Sequence, residues 1–366
     1  MFKKPYVAGI DGDAVVQKKI ALQALLQDFG NNTGNIMFSE SLYRNLDNAV
    51  RGTFNFTADD VEDCDVIVLA AANWMNPYSD FGDLAAKIEA CGLPCVIVGI
   101  GAQSGVDKRL PNIHPGTMRL IEYAGATSGL ISTRGGFSSH VLNHHGIKNC
   151  LATGCPSLLL NGAKAMVREA PASLTTADIM VHSTRHLWNQ ADAFQGKLYR
   201  WAMEDGCDIL LQSELADMYY ALGRTNNDEI LSRAKVVLEA VYGQPIEAVA
   251  EYLKTHGKVP FAMPQWESFL KAKKFCIGTR LHGTVAALLA GTPAVLVTHD
   301  SRTVETAEAM SIPTVSASQI GEHFHPSAYV NQAAIAAYLS GYERYRRNFM
   351  TFFHVNGLQT SKYFDH

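Results

Sequence analysis

The sequence predicts an α/β protein of two Rossmann-like domains facing a cleft, with a C-terminal helix packing back on them. Three observations carry this. At 366 residues the chain is too long for one ordinary core and suits two α/β domains. Short, uncharged apolar runs alternate with longer amphipathic stretches through both halves, the pattern of parallel strands and their crossover helices. Charged residues make up 18% of the chain and hydrophobic ones 47%, so most of it should fold.

In order, residues 6–10 read as a strand ending in the turn Asp11-Gly12-Asp13, and 14–29 as a helix with Val16, Ile20, Leu22, Leu25 and Leu26 on its apolar face. The loop Gly30-Asn31-Asn32-Thr33-Gly34-Asn35 then opens a helix at 37–46. Its N–H groups can meet a ligand, which makes Asn32 and Asn35 candidate binding residues; a plain turn with an asparagine cap is the alternative. Residues 64–72 are a nearly continuous apolar run, as in a parallel strand buried on both faces, and empty into Asn73-Trp74-Met75-Asn76-Pro77-Tyr78. Trp74 and Tyr78 either stack on the C–H face of a sugar, beside Asn73, or pack beneath the loop.

A helix at 81–90 leads to a strand at 95–100, and the next loop, 101–105 with Gln103, sits at a carboxyl end, where open α/β sheets bind ligands. A helix at 119–124 precedes a strand at 130–133 that delivers Arg134-Gly135-Gly136 to the same edge. A helix at 137–145, a strand at 150–153 and the stretch 156–161 close the first half. With Pro171 and several Ser and Thr, 166–177 read as a linker, giving domains of 1–168 and 177–330 and a tail of 331–366.

The second half repeats the design. A strand at 178–181 carries the loop His182-Ser183-Thr184-Arg185-His186, whose cationic side chains suit a ligand in the interdomain cleft or a solvated loop. A helix at 191–205, a strand at 208–212, helices at 213–222, 226–242 and 246–255, and a stretch at 266–273 lead to the segment that organises the chain. There a strand at 275–277 breaks at Gly278, the loop Thr279-Arg280-Leu281-His282-Gly283 follows, and a helix at 284–290 is ended by Gly291 and Pro293 before a strand at 294–298. This βαβ unit sets a fixed cation and a titratable imidazole where a helix amino end attracts anions. The other reading is an arginine capping a strand end and a hydrogen-bonded core histidine. A helix at 301–310, a strand at 314–316 and a long helix at 331–353 complete the chain. The last carries Arg344, Arg346 and Arg347 beside Tyr342, Tyr345, Phe349 and Phe352, a pattern that touches anionic membranes or packs back on its own domains.

The segment GTRLHGTVAALLAGTPAV, residues 278–295, resembles the signature of the polysaccharide pyruvyl transferase family, in which an R-L-H loop precedes a small-residue helix and a G-x-P turn. The likeness extends to Ile131-Ser132-Thr133-Arg134, to Gly146-Ile147-Lys148-Asn149 and to Thr153-Gly154-Cys155-Pro156-Ser157-Leu158. It implies a glycosyltransferase-B-like fold, phosphoenolpyruvate as donor, and a saccharide diol, lipid-linked or free, as acceptor, with a cyclic pyruvate ketal and phosphate as products. Arg280 and Arg134 would hold the donor's phosphate and carboxylate, because guanidinium binds both in bidentate fashion. His282 would protonate the enol methylene carbon. Leu281, Gly283, His182 and Arg185 would complete the donor side, and Asn32, Asn35, Asn73, Trp74 and Gln103 the acceptor side. Asp13, His182 and Asp300 are candidates for the base by loop position alone. The chain departs from the family at Asn35 and Gly135, where an acid is common, and at Ala71 to Asn73, where glycines are common.

Two rivals remain. One is a nucleotide-sugar-dependent B-type glycosyltransferase, with Glu305 on the ribose. The other is a non-catalytic glycan-binding or scaffold protein with the same fold.

A formal net charge of −4 argues against a general nucleic-acid binder. Seven cysteines without a regular framework fit free thiols in a reducing compartment. His144-His145 and His323/His325 lack the partners of a zinc site, so neither a metal nor a cofactor is expected. With no secretory signal and no membrane-spanning run, the expected location is the cytoplasm, free or at the inner membrane face.

Overall fold

The computed structural model describes residues 1–12, 20–104, 108–184, 194–224, 228–321 and 324–365. Its strands are β1 (Pro5–Gly9), β2 (Val50–Thr53), β3 (Val66–Ala70), β4 (Cys95–Val98), β5 (Ile131–Thr133), β6 (Cys150–Ala152), β7 (Ile179–His182), β8 (Asp208–Leu210), β9 (Gly257–Lys258), β10 (Phe275–Gly278), β11 (Ala294–Thr298) and β12 (Thr314–Ser316). They form a four-stranded sheet ordered β2-β1-β3-β4, a β5-β6 pair, and a six-stranded sheet ordered β12-β11-β10-β7-β8-β9. Every ladder is parallel. A bridge between Ile100 and Thr133 carries β4 onto β5, so the first half continues as one layer. The protein is therefore a mixed α/β fold with parallel sheets, as the alternation predicts.

Burial explains which strands were readable. β3, β4, β7 and β10 are buried at every residue, and apart from His182 at the end of β7 they carry no polar side chain. In the second sheet the chain runs outward through β7, β8 and β9, then returns to the other side of β7 with β10, β11 and β12. In the first it reverses between β1 and β3. Such switch points open a crevice at the carboxyl ends of the strands. One crevice follows Ala70, the other His182 and Gly278.

The two halves share a core. One apolar cluster runs from Val7, Val68 and Val98 through Met180, Ile209 and Val285 to Phe349 and Phe353. The helix Gln332–Val355 buries Tyr338, Tyr342, Tyr345, Phe349, Phe352 and Phe353. Its tyrosines anchor it to the first half: Tyr342 donates to the carbonyls of Leu158 (3.2 Å) and Gly162 (2.6 Å), and Tyr345 to that of Cys155 (2.6 Å). Beyond it, Asn356 Oδ1 accepts from the N–H groups of Gly129 and Leu130. The basic residues of this helix are engaged as well, Arg346 with the Phe364 carbonyl and Arg347 with Glu343. Its apolar face thus turns inward, toward the protein. Among the described residues no helix is long and apolar enough to cross a membrane.

Candidate active site

The helix after β10 starts earlier than its sequence suggests. It spans Leu281–Leu289, with Arg280 in extended conformation as its N-cap, so His282 stands in the first helical turn. The R-L-H stretch is a helix amino end, where N–H groups lack intrahelical partners.

Arg280 is held from three directions. Its Nε donates to the Ser183 carbonyl (2.7 Å), and its Nη2 donates to Ser213 Oγ and to Glu214 Oε1 (2.7 Å). Glu214 is fully buried. Burial by itself would raise its pKa, but the Arg280 guanidinium and the N–H groups of Ser213 and Gln212 more than offset this and hold it at about 2. The result is a permanent ion pair that fixes the arginine.

His182 was expected beside the donor, and the structure corrects this. It is fully buried beneath the loop, with Nδ1 accepting from Arg280 N–H (3.2 Å) and Nε2 3.4 Å from Thr284 Oγ1. Burial first, then Arg280, push its pKa down to about 3. A neutral imidazole in this position orders the loop rather than exchanging protons with a ligand. Gly283 is likewise buried against the His182 ring.

His282 lines a narrow cavity of about 100 Å³ together with Asn32, Asn35, Asn73, Arg134 and Arg280. Its Nε2 lies 3.6 Å from Cys155 Sγ, and its ring 5.7 Å from that of Phe38. Burial and then the guanidiniums of Arg134, Arg280 and Arg302 push its pKa down to about 3, which makes it neutral. Gly34 lets the first half come this close: a Cβ there would fall 2.6 Å from His282 Cβ.

Arg134 enters from the other side, buried, with Nε donating to the Gly99 carbonyl (3.0 Å) and Nη2 toward that of Ala71 (3.4 Å). Among the described residues no carboxylate pairs with it. Arg302, in the helix Ser301–Met310, is the third guanidinium on this cavity, with Nη2 3.2 Å from Asp300 Oδ2. Asp300 caps that helix by accepting from Thr303 N–H (2.7 Å). Burial works against the Asp300 charge, while Arg302 and His299 keep its pKa low. It is an ion-paired cap in this geometry, which argues against it as the base.

The same helix reaches into the first half through Glu305. Its carboxylate accepts from Ser138 Oγ (2.6 Å) and from Ser138 N–H (2.8 Å) at the start of the helix Gly136–His144. A Cβ on Gly135 would lie 2.7 Å from Glu305 Cβ and 2.8 Å from its Oε2. A side chain at position 135 would meet the carboxylate that the other half places there.

The cavity thus gathers Asn32, Asn35, Asn73, Arg134, Arg280, Leu281 and His282 from the sequence expectations. Asn32 Oδ1 accepts from Gly34 N–H, and Asn35 Nδ2 donates to the Phe29 carbonyl. Among the described residues Asn73 Oδ1 is buried without a hydrogen-bond partner. Trp74 does not face a sugar: it is buried between Phe81 (4.2 Å between ring centres) and Phe54 (5.6 Å). Gln103 is exposed and does not line the cavity. Asp13, Arg185, His186 and His323 lie outside the described residues. Among the described residues no group of three or more His, Cys, Asp or Glu could hold a metal ion. Glu214, Arg302 and Cys155 were not assigned roles from sequence. For Arg302 a signal existed, a cation four residues past the carboxyl end of the mostly apolar strand Ala294–Thr298.

Compared with known proteins, the family model described as polysaccharide pyruvyl transferase matches residues 20–301. No curated protein matches. Among solved structures, similarity is found to a putative UDP-N-acetylglucosamine 2-epimerase from Listeria monocytogenes, at 11% identity and TM-score 0.38, covering 94% of this chain and 83% of that one. It is also found to an S. aureus MnaA–UDP complex, at 12% identity and TM-score 0.40, covering 97% of each chain. The glycosyltransferase SnogD from Streptomyces nogalater is similar at 13% identity and TM-score 0.35, with 96% and 95% covered. Likenesses this loose do not bear on the chemistry.

Proposed function

The chain belongs to the polysaccharide pyruvyl transferase family, and from that premise we propose that this transferase moves pyruvate from phosphoenolpyruvate to two hydroxyls of a saccharide, forming a cyclic ketal and releasing phosphate. The observation that carries the reading is the convergence of three guanidiniums and one neutral imidazole on a single narrow cavity. That is a site for a small ligand with several negative charges, and phosphoenolpyruvate carries a phosphate and a carboxylate on adjacent positions.

In this mechanism Arg134 and Arg280 hold the donor's anionic groups, anchored by backbone carbonyls on one side and by Glu214 on the other. The donor's charge cancels the field of the guanidiniums, His282 takes up a proton, and it delivers that proton to the methylene carbon, which becomes a methyl group. The first sugar hydroxyl adds to the electrophilic central carbon and loses its proton. The second displaces phosphate at the same carbon, closing the ring and losing a second proton. One proton returns His282 to its charged form and the other leaves with phosphate or solvent. Residues 177–330 supply most of the donor side and 1–168 the acceptor side. There the unpartnered Asn73 Oδ1 suits a sugar hydroxyl that donates to it.

The glycosyltransferase alternative asks Glu305 to bind a ribose. Both of its carboxylate oxygens accept from Ser138, and it does not line the cavity, which weighs against that role. The test is incubation with phosphoenolpyruvate and a panel of oligosaccharides, reading phosphate release and the mass of the product. A gain of one pyruvate less one water per phosphate is expected. No release with any acceptor, together with tight binding of a nucleotide sugar, would overturn the reading.

A further inference from the structure

The three guanidiniums are not equally free. Arg134 commits Nε and Nη2 to the carbonyls of Gly99 and Ala71. Arg280 commits Nε and Nη2 to Ser183, Ser213 and Glu214. Arg302 uses only Nη2, in its pair with Asp300, and among the described residues its Nε and Nη1 meet no protein acceptor. Its side chain is partly exposed, at 27%, and lines the cavity, so those N–H groups are open to a ligand there. It also stands in the first turn of a ten-residue helix, whose amino end carries partial positive charge.

The surroundings hold that guanidinium in place. Asp300 keeps the side chain aimed through its ion pair and is itself fixed as the cap of the helix. Four residues along from Asp300's neighbour Ser301, Glu305 ties the helix to Ser138 in the first half. Ser301 Oγ adds a bond to the Ser104 carbonyl (2.9 Å). One helix therefore spans the two halves and sets Arg302 across the cavity from Arg134. The mutual proximity of like charges is unfavourable, and Arg302 feels both Arg134 and Arg280. A multiply charged anion relieves it.

We propose that Arg302 is the phosphate-binding residue of the donor site, while Arg134 and Arg280 orient the carboxylate and the reacting carbon. The assignment rests on the donor reading above. It follows from donor capacity: the phosphate carries about two negative charges and three equivalent oxygens, against one charge and two oxygens for the carboxylate, and so goes to the guanidinium with most N–H groups uncommitted. When the carbon–oxygen bond to phosphate breaks, the electron pair stays on that oxygen. A guanidinium already in contact with the phosphate then stabilises the leaving dianion.

The test is calorimetry of the full chain with inorganic phosphate, pyruvate and phosphoenolpyruvate separately, for the unaltered protein, Arg302→Ala and Arg302→Lys, with melting curves to check folding. Arg302→Ala should weaken phosphate and phosphoenolpyruvate at least tenfold and leave pyruvate unchanged. Arg302→Lys, which keeps the charge and loses the planar fork, should fall between, and it carries the test if the alanine variant does not fold. Wild-type phosphate affinity in either folded variant, or an equal loss for pyruvate, overturns the assignment. If the unaltered protein binds phosphate through Arg302 but does not bind phosphoenolpyruvate, the donor reading falls and the assignment to a donor phosphate falls with it, leaving Arg302 as an anion-binding residue only.

Discussion

Donor binding should load a proton onto His282. Its pKa is pushed down to about 3 by burial and by three guanidiniums, so at pH 7 it carries no charge. A unit negative charge about 4.5 Å from the ring, at an effective dielectric near 20, is worth about 4 kcal/mol, or about three pH units. Two such charges lift the imidazole from about 3 past neutrality, and phosphoenolpyruvate brings between two and three. Binding measured by calorimetry at pH 7, in buffers of different ionisation enthalpy, should therefore show close to one more proton taken up by the unaltered protein than by His282→Asn. The difference between the two proteins removes any proton exchanged by the donor's own phosphate. The sign follows from the direction of the shift: a depressed histidine pKa means the proton is absent before binding and arrives with the anion. Equal proton uptake by the two proteins, with both binding the donor, would refute the reasoning and leave His282 without an acid role.

Glu214→Gln should destabilise the protein by about 3–5 kcal/mol at pH 7, the range for leaving one member of a buried ion pair alone, and should raise the KM for the donor by freeing Arg280. Because the Glu214 pKa is depressed from 4.5 to about 2, its contribution is present above pH 4.5 and fades as pH falls toward 2. Denaturation at pH 7 and pH 3 should then show the gap between wild type and variant narrowing at the lower pH. Gly135→Ala places a methyl 2.7 Å from Glu305 Cβ and 2.8 Å from its carbonyl oxygen, and should cost about 1–3 kcal/mol, seen as a lowered melting temperature. An unchanged melting temperature would mean that the two halves are not held together at this contact.

What the sequence disclosed follows from burial and distance along the chain. Strands covered on both faces, such as β3 and β10, are legible because every residue is apolar. β2, with its alternately exposed VRGT, and the two-residue β9 carry no comparable pattern and went unread. Arg280 and His282 could be found because they share one loop with a recognisable spacing. Their supports could not: Glu214 lies 66 residues before Arg280, and Cys155 lies 127 before His282. Periodicity does not couple positions so far apart. Trp74 shows the converse limit, since an aromatic residue in a loop reads the same whether it meets a sugar or, as here, Phe54 and Phe81.

The return of the helix Gln332–Val355 to the first half has a consequence for biosynthesis. Domains on a ribosome generally mature from the amino end at about 5–20 residues per second. Here the carbonyls of Cys155, Leu158 and Gly162 that receive Tyr342 and Tyr345 are translated early, yet the helix that covers them is translated after β12. The portion made first is thus completed last. Until residues 332–355 have emerged, that part of the first half must be shielded by transient non-native contacts or by a chaperone.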